Sequence, residues 1–142
     1  MDAHVVWQRG LSFTGTANSG FSVPLGGKST AGGDSDGFRP MELLAISLAG
    51  CTAMDVISIL QKKKQVVSGF EVRVYTKRAH EYPKVYTHTR VEYLIEGKKV
   101  DPVAVERAIE LSFTKYCPVQ AMLAESVEIE HSYQITETGS PA

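Results

Sequence analysis

The sequence predicts a mixed fold of strands and helices in one domain spanning residues 1–142, and three observations carry that prediction. Period-two alternation of apolar residues marks strands near both ends and in the middle of the chain. A long apolar run after Pro40 marks a helix, and the dipeptides Asp101-Pro102 and Cys117-Pro118 mark the starts of two shorter ones. A chain of 142 residues, 43% hydrophobic and 22% charged, has the composition to bury a core in a single domain.

The first 25 residues read as short strands, with Val5, Trp7, Leu11, Phe13, Phe21 and Val23 apolar and Gly10, Gly15 and Gly20 marking turns. Residues 26–37, rich in glycine and serine, read as a flexible loop ending near Pro40. Phe70–Thr76 and Val85–Ile95 alternate with period two about a turn that contains Pro83, which is a hairpin pattern. Asp101 at N-cap and Pro102 at N1 start an amphipathic helix with Val105, Ile109 and Ser112 beside Ala104, Ala108 and Leu111. Pro118 forces Cys117 out of helical geometry, so Cys117 belongs at a junction before a short helix to about Glu125. Val127, Ile129, His131, Tyr133 and Ile135 form one face of a last strand, and the tail 136–142 is expected to be loose.

The central helix, from Pro40 to about Lys64, is apolar on most faces. Its ~20-residue core has the length of a membrane span, but Glu42 and Asp55 would each cost roughly 2.5 to 3.5 kcal/mol inside one. A buried helix of a soluble protein is the expectation. At about 1.5 Å per residue it is about 36 Å long, comparable to the diameter of the whole globule. Cover from a sheet on one side and a second copy on the other predicts a homodimer.

A formal net charge of −1 offers no electrostatic reason to expect nucleic acid or a membrane as partner. The N-terminus lacks a basic stretch followed by an apolar one, which places the expected location in the cytoplasm. There, the two cysteines are expected to be inert thiols or a redox pair, not a permanent bridge. Ser22–Ser29 comes within one residue of a phosphate-binding loop, yet a flexible loop follows it instead of a helix. His4, His80, His88 and His131 fall on separate elements with no paired ligand spacing, so neither a metal nor a cofactor is expected.

Ser47, Cys51, Asp55 and Ser58 fall on one stripe of the central helix, with Gly50, Ala49, Thr52 and Ala53 leaving room around the Cys51 sulfur. The plain reading is a set of small polar groups filling space; the chemical one is an accessible thiol. Asp55, one turn away, opposes a Cys51 thiolate, so a cation is called for, with Arg9, Arg39, Arg73 and Arg78 as candidates. Cys117, before a helix N-terminus and near Lys115, is expected to be the more acidic thiol, since the macrodipole favours its anion.

Pro40-Met41-Glu42-Leu43-Leu44, then Gly50-Cys51-Thr52-Ala53-Met54-Asp55-Val56, and far downstream Lys115-Tyr116-Cys117-Pro118-Val119, resemble the OsmC/Ohr family of thiol-dependent hydroperoxidases, closest to its YhfA-like branch. The likeness extends over nearly the whole chain. It implies an α+β fold, an intertwined homodimer, and two sites at the subunit interface.

By that resemblance Cys51 matches the peroxidatic cysteine and Cys117 the resolving one, with an organic hydroperoxide as substrate and an external dithiol as reductant. Thiolate attack on the O–O bond gives a sulfenic acid, which the second thiol converts to a disulfide that the dithiol reduces. Aligned on Pro40, the family's glutamate falls on Met41, with Glu42 one position on and about 100° round the helix. Arg9 lies in the region of the family's N-terminal arginine. These departures keep a second reading open, in which a redox-sensing protein without rapid turnover binds a small hydrophobic ligand in the dimer cleft.

Overall fold

A computed structural model describes residues 2–139, in two compact units, one ending at Leu44 and the other beginning at Ala45. The expected order of elements is present, and the fold is α+β with two sheets and three helices.

In the first unit β1 (Ala3–Arg9), β2 (Ser12–Ala17) and β3 (Ser22–Gly26) form an antiparallel sheet in chain order. Trp7 pairs with Phe13, and Phe13 with Leu25. Gly10 takes φ +47° at the β1–β2 turn, where an L side chain would be strained, and Trp7 Nε1 donates to its carbonyl at 2.9 Å. The loop expected to be flexible is closed by its own backbone hydrogen bonds: a 3₁₀ turn covers Ser29–Ala31, Gly33 N–H donates to Lys28 O, and Ser35 N–H to Gly27 O. Phe38 then returns to bridge Leu25.

In the second unit β4 (Val66–Arg78) and β5 (Tyr86–Lys98) make the expected antiparallel hairpin; β4 is longer at both ends than the alternation alone marks, and β5 starts one residue later and runs on to Lys98. β6 (Glu128–Glu137) adds to β5 in parallel, with Tyr93 opposite Tyr133. A parallel pair needs a crossover connection. Here the crossover holds α2 (Pro102–Leu111), a π-helical turn (Ser112–Tyr116) and α3 (Pro118–Ala124). Asp101 caps α2 by accepting from Val103 N–H at 3.0 Å. The tail starts later than 136, because Thr136 and Glu137 complete β6; residues 140–142 lie outside the described residues.

The long helix α1 runs Pro40–Lys62. By length and composition it is apolar enough to cross a membrane. One stripe at i,i+4 spacing, Leu48, Thr52, Val56 and Leu60, is buried. Its apolar members form one core cluster with Val91, Tyr93 and Ile95 of β5 and Ala104, Val105, Ala108 and Ile109 of α2. Within one chain the cover is one-sided: Ile46 and Met54 are exposed.

Candidate active site

Both cysteines are reduced, and separate elements carry them to one place in the second unit. Cys51 is half-buried at the middle of α1, whereas Cys117 is only 2% exposed between the π-helical turn and α3. The two sulfurs and a carboxylate oxygen of Asp55 all lie within 4.8 Å of one another. Cys51 and Asp55 meet because four residues make about one turn of α1. Cys117 reaches them through the π turn, where its N–H donates to Ser112 O, five residues back, at 2.8 Å. Pro118 holds Cys117 extended, at φ −83° and ψ 104°.

Behind the thiols runs a chain of hydroxyls. Ser112 Oγ donates to Asp55 Oδ2 at 2.9 Å, which leaves Ser112 to accept from Thr52 at 2.8 Å and Thr52 to accept from Tyr93 at 2.7 Å. A carboxylate only accepts, so it sets the direction of every bond upstream. Tyr93, Thr52 and Ser112 are fully buried, and each hydroxyl is satisfied by the next. Burial pushes the Tyr93 phenol up to about 12, which keeps it a donor at neutral pH.

Burial, followed by the hydrogen bond that the Cys117 thiol donates to Cys51, pushes the Cys117 thiol up to about 11, and the charge of Asp55 acts in the same sense. This runs against the expectation that the helix N-terminus makes the Cys117 thiol acidic. Its sulfur does accept from Gln120 N–H, at 3.3 Å, as a helix N-cap would. The α3 helix is only seven residues long, and the stabilisation it offers is outweighed by desolvation.

Next to this cluster, His131 stacks on Phe113 with ring centroids 4.5 Å apart and faces Tyr93 at 6.3 Å. Its Nε2 is hydrogen-bonded to Gln120 Oε1, and burial lowers its pKa below the ordinary imidazole value. Gln120 thus ties His131 to Cys117. A cavity of about 230 Å³ opens beside Asp55, lined by Ser58, Ile59, Lys62, Leu111 and Tyr116. Of the expected polar stripe, then, Cys51 and Asp55 join the cluster, Ser58 faces this cavity, and Ser47 is exposed.

The other supporting candidates have partners of their own. Arg9 pairs with Asp34 at 3.4 Å and Asp36 at 3.5 Å. Arg39 donates to Gly37 O and Ser35 Oγ, and its backbone N–H donates to Glu42 Oε1 at 2.8 Å. Glu42 therefore caps the first turn of α1, the reach-back half of a capping box. Arg73 is bound to Glu71 at 2.7 Å, and Arg78 Nε donates to Lys84 O. Thr52, Tyr93, Ser112 and Gln120 escaped sequence reasoning. Only Thr52, adjacent to Cys51, carried a local hint; Ser112 and Tyr93 are polar members of otherwise apolar stripes.

Comparison with known proteins follows the same lines. A family model described as OsmC-like protein matches residues 32–132. The chain belongs to the OsmC-like family. Protein YhfA of Escherichia coli K12 is 39% identical over 135 residues, covering 95% of this OsmC-like chain and 98% of that one. Among solved structures, a hypothetical protein from Aquifex aeolicus VF5 is 29% identical, with a TM-score of 0.85 and 96% of each chain covered. An organic hydroperoxide resistance protein from Elizabethkingia anophelis superposes with a TM-score of 0.69 over 94% of each chain at 15% identity, which shows a shared OsmC-like fold.

Proposed function

We propose that this protein reduces organic hydroperoxides by a two-cysteine mechanism, with Cys51 peroxidatic and Cys117 resolving. The observation that carries the reading is the pair of reduced thiols from separate elements, with sulfurs within 4.8 Å. The more accessible Cys51 is the sulfur that meets substrate, and the buried Cys117 meets only Cys51. In the first step the Cys51 thiolate attacks the O–O bond: a sulfenic acid forms, and the alkoxide leaves and takes up a proton to become an alcohol. In the second, the Cys117 sulfur attacks the sulfenic sulfur, water leaves, and a disulfide remains. An external dithiol reduces it by exchange. A sulfur–sulfur bond of about 2.05 Å requires the two side chains to close on each other.

The same reading makes the protein a homodimer, with a second copy covering the exposed apolar residues Ile46 and Met54 of α1. One observation favours the slower, redox-sensing alternative: Asp55 and Cys51 both act against a Cys117 thiolate. The test is mass spectrometry of reduced protein after one equivalent of cumene hydroperoxide. An intramolecular disulfide in the wild type, with sulfenic acid trapped on Cys51 in Cys117→Ser, is expected. Thiols that stay reduced for minutes at micromolar peroxide would overturn the reading.

A further inference from the structure

The geometry points to a second use of this cluster: Cys51, Asp55 and Cys117 form a three-ligand site for a thiophilic divalent metal, with zinc the best match. Two sulfurs and one carboxylate oxygen are a donor set that zinc takes readily, and the three atoms already lie within 4.8 Å of one another. In a tetrahedral site with zinc–sulfur bonds of about 2.3 Å and a zinc–oxygen bond of about 2.1 Å, donors sit roughly 3.5 to 3.8 Å apart. Side-chain rotation closing the cluster by about 1 Å is therefore enough. Cys51 and Asp55, four residues apart on one helix face, hold two ligands in fixed relation, and the third comes from a different element, as a stable site needs.

The support around the ligands fits as well. The Ser112 hydroxyl orients the Asp55 carboxylate through Oδ2, and the Gln120 N–H points at Cys117 Sγ, which as a metal-bound thiolate would accept it more strongly. The metal would balance the charge that binding creates: two thiolates and a carboxylate carry three negative charges, while Arg73 and Arg78 of the same unit are committed to Glu71 and to the Lys84 carbonyl. His131 is not among the residues whose ligand atoms converge here, which are Cys51, Asp55 and Cys117. The fourth position belongs to water or an incoming thiol.

Binding by the reduced protein releases the two thiol protons. The metal-bound and disulfide states exclude each other, since oxidation removes two of the three ligands. A hydroperoxide that oxidises the pair takes two electrons from the thiolates and two protons from solvent, becomes alcohol and water, and frees the metal. This inference rests on the adjacency of the thiols and not on fast peroxide turnover.

The experiment uses full-length, reduced, chelator-washed protein under anaerobic conditions. Cadmium is titrated in while the ultraviolet thiolate-to-metal charge-transfer band is followed, and zinc affinity is measured by competition with a chromophoric chelator. Expected are saturation at one equivalent per chain, a loss of ~100-fold or more in Cys51→Ser and Cys117→Ser, and a loss of about tenfold in Ser112→Ala, which removes the support of the carboxylate and leaves all three ligands in place. Circular dichroism checks each variant; Cys51→Ala, at a half-buried helix position, carries the test if Cys117→Ser does not fold. Zinc affinity unchanged in the Cys51 variants, or no charge-transfer band at micromolar cadmium, would overturn the site. Peroxide oxidation of the metal-free protein is scored separately by mass, so either reading can fail alone.

Discussion

Ser112 donates its hydroxyl to Asp55 across 2.9 Å and across 57 residues of sequence, which joins the start of the π turn to the thiol-bearing face of α1. Asp55, whose role the sequence left open, is thereby the terminus of a buried hydroxyl chain that begins at Tyr93.

Breaking that chain in the middle strands polar groups on both sides. Ser112→Ala leaves the Thr52 hydroxyl and the Asp55 carboxylate each short of a partner, in a region where water does not reach Thr52. A loss of about 1–3 kcal/mol is expected in urea unfolding. Thr52→Val, which keeps the shape and removes the hydroxyl that both Tyr93 and Ser112 use, is expected to cost a similar amount. A change below 0.5 kcal/mol in both would show that the chain does not contribute to stability.

The thiols are expected to react in a fixed order. Below pH 9 iodoacetamide modifies Cys51 first, because Cys117 is buried and its thiol is pushed up to about 11. Peptide mapping after a short pulse reads this directly. Cys117 labelled first in folded protein would contradict the assignment of roles.

Stability is expected to fall as pH rises from about 9 to about 11. Over that window the native state keeps the Cys117 proton that the unfolded chain, with a thiol near 9.0, has lost, so the folded form binds more protons and the slope is negative. Cys117→Ala, lacking the group, should flatten the decline. An unchanged slope in the variant would assign it to other groups.

At acid pH the sign reverses, through His131. Burial lowers its pKa from an ordinary 6.5, so below that value the unfolded chain takes up a proton that the folded one resists. Stability contributed by the neutral ring is present above pH 6.5 and is lost as the pH falls further. Chemical denaturation of wild type and His131→Leu between pH 4 and 7 checks this: the variant should lose part of the acid slope.

Two glycines of the hairpin should respond differently to the same change. A Cβ at Gly97 would sit 2.1 Å from Val66 O, a backbone atom that cannot move without breaking the β4–β5 pairing. At Gly69 it would meet the end of the Glu96 side chain at 3.1 Å, which can swing away. Gly97→Ala is expected to lower the melting temperature by several degrees, and Gly69→Ala by much less. Equal effects would mean that the strand ends relax freely.

The elements were legible where their signals are local. The starts of α2 and α3 lie in single dipeptides, and the hairpin in its alternation, each within a few residues. The pairing of Cys51 with Cys117 came from resemblance, not spacing. What stayed hidden depends on distance along the chain: Tyr93 meets Thr52 from 41 residues away and Ser112 from 60, and no periodicity encodes such meetings. Glu42 stands at the opposite extreme, with a local contact. Its partner is three residues back, and a capping role explains a first-turn carboxylate before catalysis need be considered.

The π turn at 112–116 holds one residue more than an α-helix would fit in the same space. Deleting one codon there would let α2 continue as ordinary helix and swing Cys117 about 100° around the axis, off the sulfur it faces. The facing of the two sulfurs thus depends on the length of this one turn, to the residue.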